Sequence, residues 1–295
     1  MIRVGLIGLG IMGSAYAGHL IDAGFPTTGY DIDAAALERF RSRGGAAAGS
    51  PRAVAQDADV VVAALSSSEA VDAAFFAEQG IVAAVRPRTV VVDAGTFGLD
   101  LKQRVRGRLE ERGAEALDAP VSGTGSQAQA RDLVIFASGE SGAFERAKPV
   151  LQAVARDVRY VGPFGNGSKL KYIANLLVTI HNLSTAEAMV LAEKAGLDAQ
   201  TVIDVLGNSA AASRMLQVRG PMMATRRYEP ATMRVEVYEK DIAIIDAFAK
   251  SLACPTPLFS ASLPFYRRAL AEGHGKEDTA VIATVLRESA GLPPD

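Results

Sequence analysis

Cysteine is almost absent. Cys254 is the only one in 295 residues, and a single thiol excludes an internal disulfide framework; beside Pro255 it is expected to serve as a small buried hydrophobe. Histidine is nearly as scarce. His19, His181 and His274 lack the spacing of a metal set, so no metal is expected and each reads as a packing or surface residue. An excess of charge of either sign is also missing, since 31 Lys and Arg face 33 Asp and Glu for a formal net charge of -2. That balance argues against a nucleic-acid partner and against a membrane-surface patch. Apolar runs such as 174–180 are short and interrupted, whereas a bilayer span needs about 20 residues. Met1 leads into a strand with no charged leader or cleavage site, which makes the cytoplasm the expected compartment. No internal repeat or low-complexity tract stands out, apart from a general alanine bias.

What is present is a glycine pattern at the start. The apolar run Ile2 to Ile7 breaks into Gly8, Gly10 and Gly13 at GxGxxG spacing, with Leu9, Ile11 and Met12 completing the turn. In a strand-to-helix turn of this kind the first glycine makes the bend and the second admits a pyrophosphate to the backbone. The third lets helix and strand pack closely, and the helix N-terminus faces the anion. An amphipathic stretch from Ser14 to Ala23 follows. Pro26 to Tyr30 then reads as a second strand, ending at Asp31 at the distance expected for a ribose-binding acid. Such a carboxylate accepts hydrogen bonds from the adenosine ribose and repels a 2′-phosphate, so NAD is the expected cofactor. Ile32-Asp33 supplies another acid where a phosphate-binding site would show Arg or Lys. The alternative reading of Asp31 is a turn cap.

At 49% hydrophobic content the chain can bury a large core, and its length suggests two domains. Residues 1–163 alternate Val/Ile-rich runs with Ala-rich amphipathic stretches, the pattern of an α/β domain with a Rossmann-type doubly wound sheet. Its later strands are placed at 60–65, 89–92, 115–118, 133–138 and 158–161, and its later helices at 68–76, 80–85, 99–112 and 143–154. Leu65 and Ser66, where the strand at 60–65 ends, are assigned to the cofactor. A glycine-rich corner at 162–167 marks the boundary. Beyond it, residues 164–295 read as an all-α substrate and oligomerisation domain, entered by one long helix from Ser168 to about Lys194 and stopped by Gly196. Further helices are expected after the cap Asp198 and over 236–252, 258–271 and 278–289.

Lys171 and Asn175 lie four apart on the long helix and so share one face, expected to point toward the domain cleft. A lysine with a lowered pKa can exchange the proton of a hydroxyl, and an amide can orient the oxygen without adding charge. The segment Asp118 to Ser126 follows a strand and offers hydroxyls and accessible N–H groups suited to a carboxylate. Its other reading is a flexible surface loop. No GK[ST] sequence ends it, which excludes a nucleoside-triphosphate loop.

These motifs resemble, in order and over essentially the whole chain, the β-hydroxyacid dehydrogenases, which include 3-hydroxyisobutyrate dehydrogenase, tartronate semialdehyde reductase and, more distantly, 6-phosphogluconate dehydrogenase. GLGIMG at 8–13 matches the cofactor turn and DAPVSG at 118–123 the substrate motif. Gly165, Gly167, Lys171 and Asn175 match GxGxxxKxxNN, and Lys240-Asp241 matches a KD motif. Gly273-His274-Gly275 with Asp278-Thr279-Ala280 resembles the closing signature. The resemblance implies Lys171 as catalytic acid/base with Asn175 as its partner, Ser122 and Gly123 as carboxylate contacts, and Thr96 and Lys240 at the cofactor. The chain departs from the family at Gly95, Leu99, Thr124, Arg131 and Ala174. Thr124, standing where the family has glycine, is counted with the substrate residues because it reshapes the acid pocket. The implied function is NAD-dependent interconversion of a small 3-hydroxy acid and its aldehyde or oxo acid by a homodimer or homotetramer. The alternatives are an imine reductase, a group that generally lacks the lysine, and a non-catalytic cofactor-binding module.

Overall fold

The computed structural model describes residues 1–293; the last two positions of the expected helical domain, 294 and 295, lie outside the described residues. The chain forms two compact units, one from Met1 to Lys171 and one from Tyr172 onward.

The first unit is built on buried apolar strands. In β1 (Val4–Ile7) every residue is buried, as in a parallel sheet covered on both faces. With β2 (Thr27–Tyr30), β3 (Ala46–Ala47), β4 (Val60–Ala63), β5 (Val90–Asp93) and β6 (Glu115–Asp118), it forms a parallel array in the order β3-β2-β1-β4-β5-β6. That is the order of a doubly wound dinucleotide fold. Past β6 the sheet changes direction. The short β7 (Val121–Ser122) and β8 (Val134–Gly139) pair antiparallel, β8 also runs antiparallel to β6, and β9 (Asp157–Tyr160) extends β8 in parallel.

Seven helices fill the connections: α1 (Ile11–Asp22), α2 (Ala34–Ser42), α3 (Pro51–Asp57), α4 (Ser68–Phe76), α5 (Leu99–Glu110), α6 (Gly125–Gln129) and α7 (Ser141–Val154). Alternate strand residues serve opposite faces: Leu6, Val62 and Val92 join a cluster with residues of α1 and α7, while Val61 and Val91 join one with α3, α4 and α5. The expected helix at 80–85 is only a single 3₁₀ turn, Ile81–Ala83. Gly80 opens it and Pro87 follows, leaving too few residues for a costly helix nucleus. Helices α2 and α3 were not anticipated, because each is short and rests on its cap: Asp33 accepts from Ala35 N at 2.9 Å and Ser50 from Ala53 N at 3.2 Å.

Helix α8 (Asn166–Lys194) runs through both units. The second unit continues with α9 (Ala199–Leu206), α10 (Arg214–Thr225), α11 (Val235–Ser251), α12 (Pro257–Ala271) and α13 (Ile282–Ser289). Gly196 ends the long helix with φ +74°, and Asp198 caps α9 through Thr201 N at 2.8 Å. The sequence hid α10 because Gly220 and Pro221 sit inside it; Ser213 caps it through Leu216 N at 3.0 Å. Cys254 corrects an expectation. It is exposed rather than buried, since it follows a left-handed turn at Ala253, φ +48°, between α11 and α12. Among the described residues no helix is long and apolar enough to cross a membrane.

Candidate active site

In the first unit, the carboxyl ends of the parallel strands line up in register. Ala64 N donates to Ile7 O at 2.8 Å, Ala94 N to Ala63 O at 3.0 Å and Ala119 N to Asp93 O at 2.9 Å. The segments carrying Gly8, Leu65-Ser66, Thr96 and Ser122-Gly123 therefore leave the same edge side by side, which is where open α/β sheets take their ligands.

The glycine turn has the shape its spacing requires. Gly8 sits at φ +88°, and a Cβ there would lie 2.5 Å from Ala64 O. A Cβ at Gly13 would collide with Gly8 O, whereas one at Gly10 would meet nothing within 4 Å. The first and third glycines are thus demanded by the fold and the second is demanded by nothing in the protein. The open space over Gly10, at the N-terminus of α1, has room for an anion such as a pyrophosphate. Asp31 closes the turn from the other side: Leu9 N donates to Oδ2 at 2.6 Å and Asp33 N to Oδ1 at 2.8 Å. Asp31 therefore pins the turn to β2 and still presents lone pairs for a ribose. Ile11 is 73% exposed beside it, and Met12 is half-buried against the core.

The loop around Thr96 carries glycine at position 95. A Cβ there would strike Phe97, whose ring is 1% exposed. The Phe97 ring occupies the space where that Cβ would project. Thr124 is held locally, as its N–H donates to Gln127 Oε1 at 3.0 Å and its hydroxyl lies 3.0 Å from Ser126 Oγ. These bonds tie it to the start of α6. Gly125 beside it packs so closely on Ile11 that a Cβ there would force the exposed Ile11 side chain to shift, so the loop of Ser122, Gly123 and Thr124 abuts the first turn of α1.

The structure also assembles a buried cluster that the sequence reading missed. Lys102, 0% exposed, donates to Asp118 Oδ1 at 2.7 Å and Gly95 O at 2.7 Å and lies 3.5 Å from Asp93 Oδ2. Asp118 accepts in addition from Ser168 N at 2.7 Å and Ser168 Oγ at 2.8 Å, and Ser138 Oγ accepts from Gly167 N at 3.0 Å. Burial pushes the Asp93 carboxyl above its usual range, against the pull of Lys102. A signal was available: Lys102 shares helical spacing with the buried Val105 and Leu109, placing it on the apolar face of α5.

Lys171 lies on the second turn of α8, and Asn175 follows one turn later on the same face. In the second unit Asn175, 6% exposed, donates Nδ2 to Asp241 Oδ2 at 2.9 Å. Its carbonyl accepts from Tyr238 OH at 2.9 Å and Thr179 Oγ1 at 2.8 Å. Burial raises the Tyr238 phenol and pushes Tyr266 up to about 12, which keeps both as neutral hydroxyls. Lys240 lies 3.6 Å from its neighbour Asp241. The acid of the closing signature is structural: Asp278 Oδ2 accepts from Thr232 N at 2.8 Å and Met233 N at 3.0 Å, and Oδ1 from Ala280 N at 3.0 Å. Among the described residues no three His, Cys, Asp or Glu gather as a metal site.

Residues 3–162 match the family described as the NAD binding domain of 6-phosphogluconate dehydrogenase, and residues 165–286 match the NAD-binding family of NADP-dependent 3-hydroxyisobutyrate dehydrogenase. An L-threonate dehydrogenase of Pectobacterium atrosepticum is 37% identical, over 96% of this chain and 93% of that one. A NAD-dependent L-serine dehydrogenase of Pseudomonas aeruginosa is 30% identical over 99% of this chain and 100% of that one. The solved 3-hydroxyisobutyrate dehydrogenase from Salmonella typhimurium superposes with a TM-score of 0.87 at 32% identity, covering 97% of this chain and 100% of that chain. Both halves match in order, and the open space over Gly10 has room for the nucleotide those families bind; the chain belongs to the β-hydroxyacid dehydrogenase family, with an NAD-binding domain as its first half.

Proposed function

We propose that the protein interconverts a small carboxylate-bearing 3-hydroxy acid and its aldehyde or oxo acid, with Lys171 as the general acid/base. The observation that carries this reading is the retained lysine on α8 one turn before an amide whose orientation is fixed. Asp241 accepts one proton of Asn175 Nδ2, which sets the turn of the amide and directs its second Nδ2 proton as the donor toward the reacting oxygen. When bound, NAD supplies the acceptor for a hydride. In the oxidising direction the neutral Lys171 amine takes the hydroxyl proton as the carbon-bound hydrogen leaves with its electron pair and the C–O bond becomes C=O. In reduction the ammonium returns that proton. Asn175 orients the reacting oxygen. Ser122 and the Gly123 backbone hold the carboxylate, and Gly123 suits that task because its φ of +138° turns the backbone in a way side chains rarely allow.

The substrate class follows the names of the relatives, which act on L-threonate and L-serine. A screen of L-threonate, L-serine, 3-hydroxyisobutyrate and related hydroxy acids, followed by NADH absorbance, tests the reading. Turnover of at least one supports it, and inactivity toward all of them with NAD and NADP alike overturns it. The expected homo-oligomer is supported by apolar residues left exposed along α8, with Ile173 at 51%, Leu177 at 47% and Leu191 at 71%. Sedimentation of the purified protein measures that state.

A further inference from the structure

Three segments of the first unit meet at Lys102. Its ammonium donates to Gly95 O, in the loop that carries Thr96, and to Asp118, which opens the loop that carries Ser122 and Gly123. Through Asp118 it reaches the first turn of α8, because the same carboxylate receives both the backbone N–H and the hydroxyl of Ser168. Gly167 is wedged alongside: a Cβ there would lie 2.7 Å from Asp118 O and would collide with Phe136 O. Lys171 stands three residues beyond Ser168, one helical turn on. We infer that Lys102 and Asp118 form a positioning pair that sets where Lys171 stands relative to the substrate and cofactor loops, with Ser168 as the link to the helix.

Stability alone does not account for such a pair. A fully buried ion pair costs desolvation, and apolar residues of similar volume often replace one without loss. What apolar residues cannot provide is direction. The three protons of one ammonium face acceptors at the carboxyl ends of β5 and β6 and in the loop after β5, and four carboxylate bonds orient Asp118. The carboxylate also faces the positive end of α8, where a negative charge is favoured. A geometry fixed from both sides leaves the α8 first turn little freedom to slide, and catalytic geometry is sensitive to such shifts.

The inference rests on the reading of Lys171 as the acid/base, and a double-mutant cycle separates the two. Ser168→Ala cuts only the hydroxyl bond to Asp118 and keeps the ion pair. We expect it to lower kcat by about 5-fold, the equivalent of one hydrogen bond, with KM and the NADH dissociation constant within about 2-fold. In a Lys171→Met background the same change is expected to alter the residual kcat by less than about 2-fold, because a residue that acts through Lys171 has nothing left to position. Lys102→Met is expected to lower kcat by about 10-fold or more with NADH binding retained. If that variant fails to fold, the Ser168→Ala cycle still decides. Equal losses from Ser168→Ala in both backgrounds, or no loss in the wild type, overturn the positioning role while leaving Lys171 catalytic. Retention of more than about a tenth of wild-type kcat by Lys171→Met overturns the acid/base reading itself.

Discussion

Asp241 Oδ2 accepts from Asn175 Nδ2 at 2.9 Å, which makes the aspartate of the KD motif the residue that decides how the amide on α8 is turned. Asp241→Ala leaves a buried amide without this acceptor, a loss of about 1–3 kcal/mol. We expect kcat to fall by about 10-fold or more, while Asp241→Asn, which can still accept through its own carbonyl, retains most of the activity. Steady-state kinetics of the two variants check this. Equal kcat values would mean that the amide needs no partner.

Lys171→Met keeps the apolar stem and removes the proton carrier. Turnover is expected to fall by ~10² to 10⁴, the range for a lost general acid or base, with NADH affinity near native. Single-turnover rates and fluorescence titration of NADH measure the two quantities. If the rate survives, Lys240 is the next residue to replace.

The glycines of the cofactor turn separate fold from function. Gly13→Ala forces a Cβ against Gly8 O and is expected to lower the melting temperature. Gly10→Ala meets no atom within 4 Å at an ordinary helix-cap backbone, φ -68°, so its melting temperature is expected to match wild type while NADH binding weakens. Calorimetry with and without NADH distinguishes them. A Gly10→Ala enzyme with native affinity would show that the pyrophosphate does not lie there.

Asp31 is expected to make kcat/KM with NAD exceed that with NADP by at least ~10-fold, about 1.4 kcal/mol. Exchanging Asp31 for Ser and Ile32 for Arg removes a repelling charge and adds a phosphate partner, so the gap narrows. Because Asp31 also holds Leu9 N at 2.6 Å, the double variant is expected to bind both cofactors more weakly than an unaltered turn would. Preference for NADP in the wild type would refute the charge argument.

Asp59 is among the carboxyls that contribute to acid sensitivity. The Arg3 guanidinium, 2.9 Å from Asp59, holds that carboxyl down from 3.8 to about 2. A depressed carboxyl stabilises the fold above its unfolded value and loses that contribution as pH falls through the folded one. Asp59→Asn is therefore expected to be less stable than wild type above about pH 4, with the difference shrinking as pH falls toward about 2 and gone only below it. Both groups are partly exposed, so the gap is small. Urea unfolding across this range measures it, and a difference independent of pH would exclude the ion pair as its source.

Much of the molecule was legible in the chain itself. Local rules sufficed for β1, the glycine turn and Asp31, because a continuous apolar strand, a bend that tolerates no Cβ at Gly8 or Gly13, and an acid at fixed spacing are written in consecutive residues. The same holds for α8, whose apolar positions repeat with helical period until Gly196. The ordered motifs were enough to place the chain in its family. Short elements such as α2 and α3 escaped because a cap of one side chain outweighed weak periodicity, and α10 because Gly220-Pro221 reads as a stop when only neighbours in sequence are considered.

Tertiary structure alone decided the polar pairings. Helical spacing places Lys102 on the apolar face of α5, but nothing in α5 names its acceptors, since Asp118 and Asp93 lie 16 and 9 positions away in sequence and on different strands. Asp241 meets Asn175 across 66 residues. The motif places Thr124 in the substrate loop, and the fold adds Gln127 and Ser126 as its hydrogen-bond partners. The division has a physical origin. Backbone preference and hydrophobic period act between near neighbours along the chain, whereas the partner of a buried charge or amide is chosen by whichever group the packed elements bring within about 3 Å.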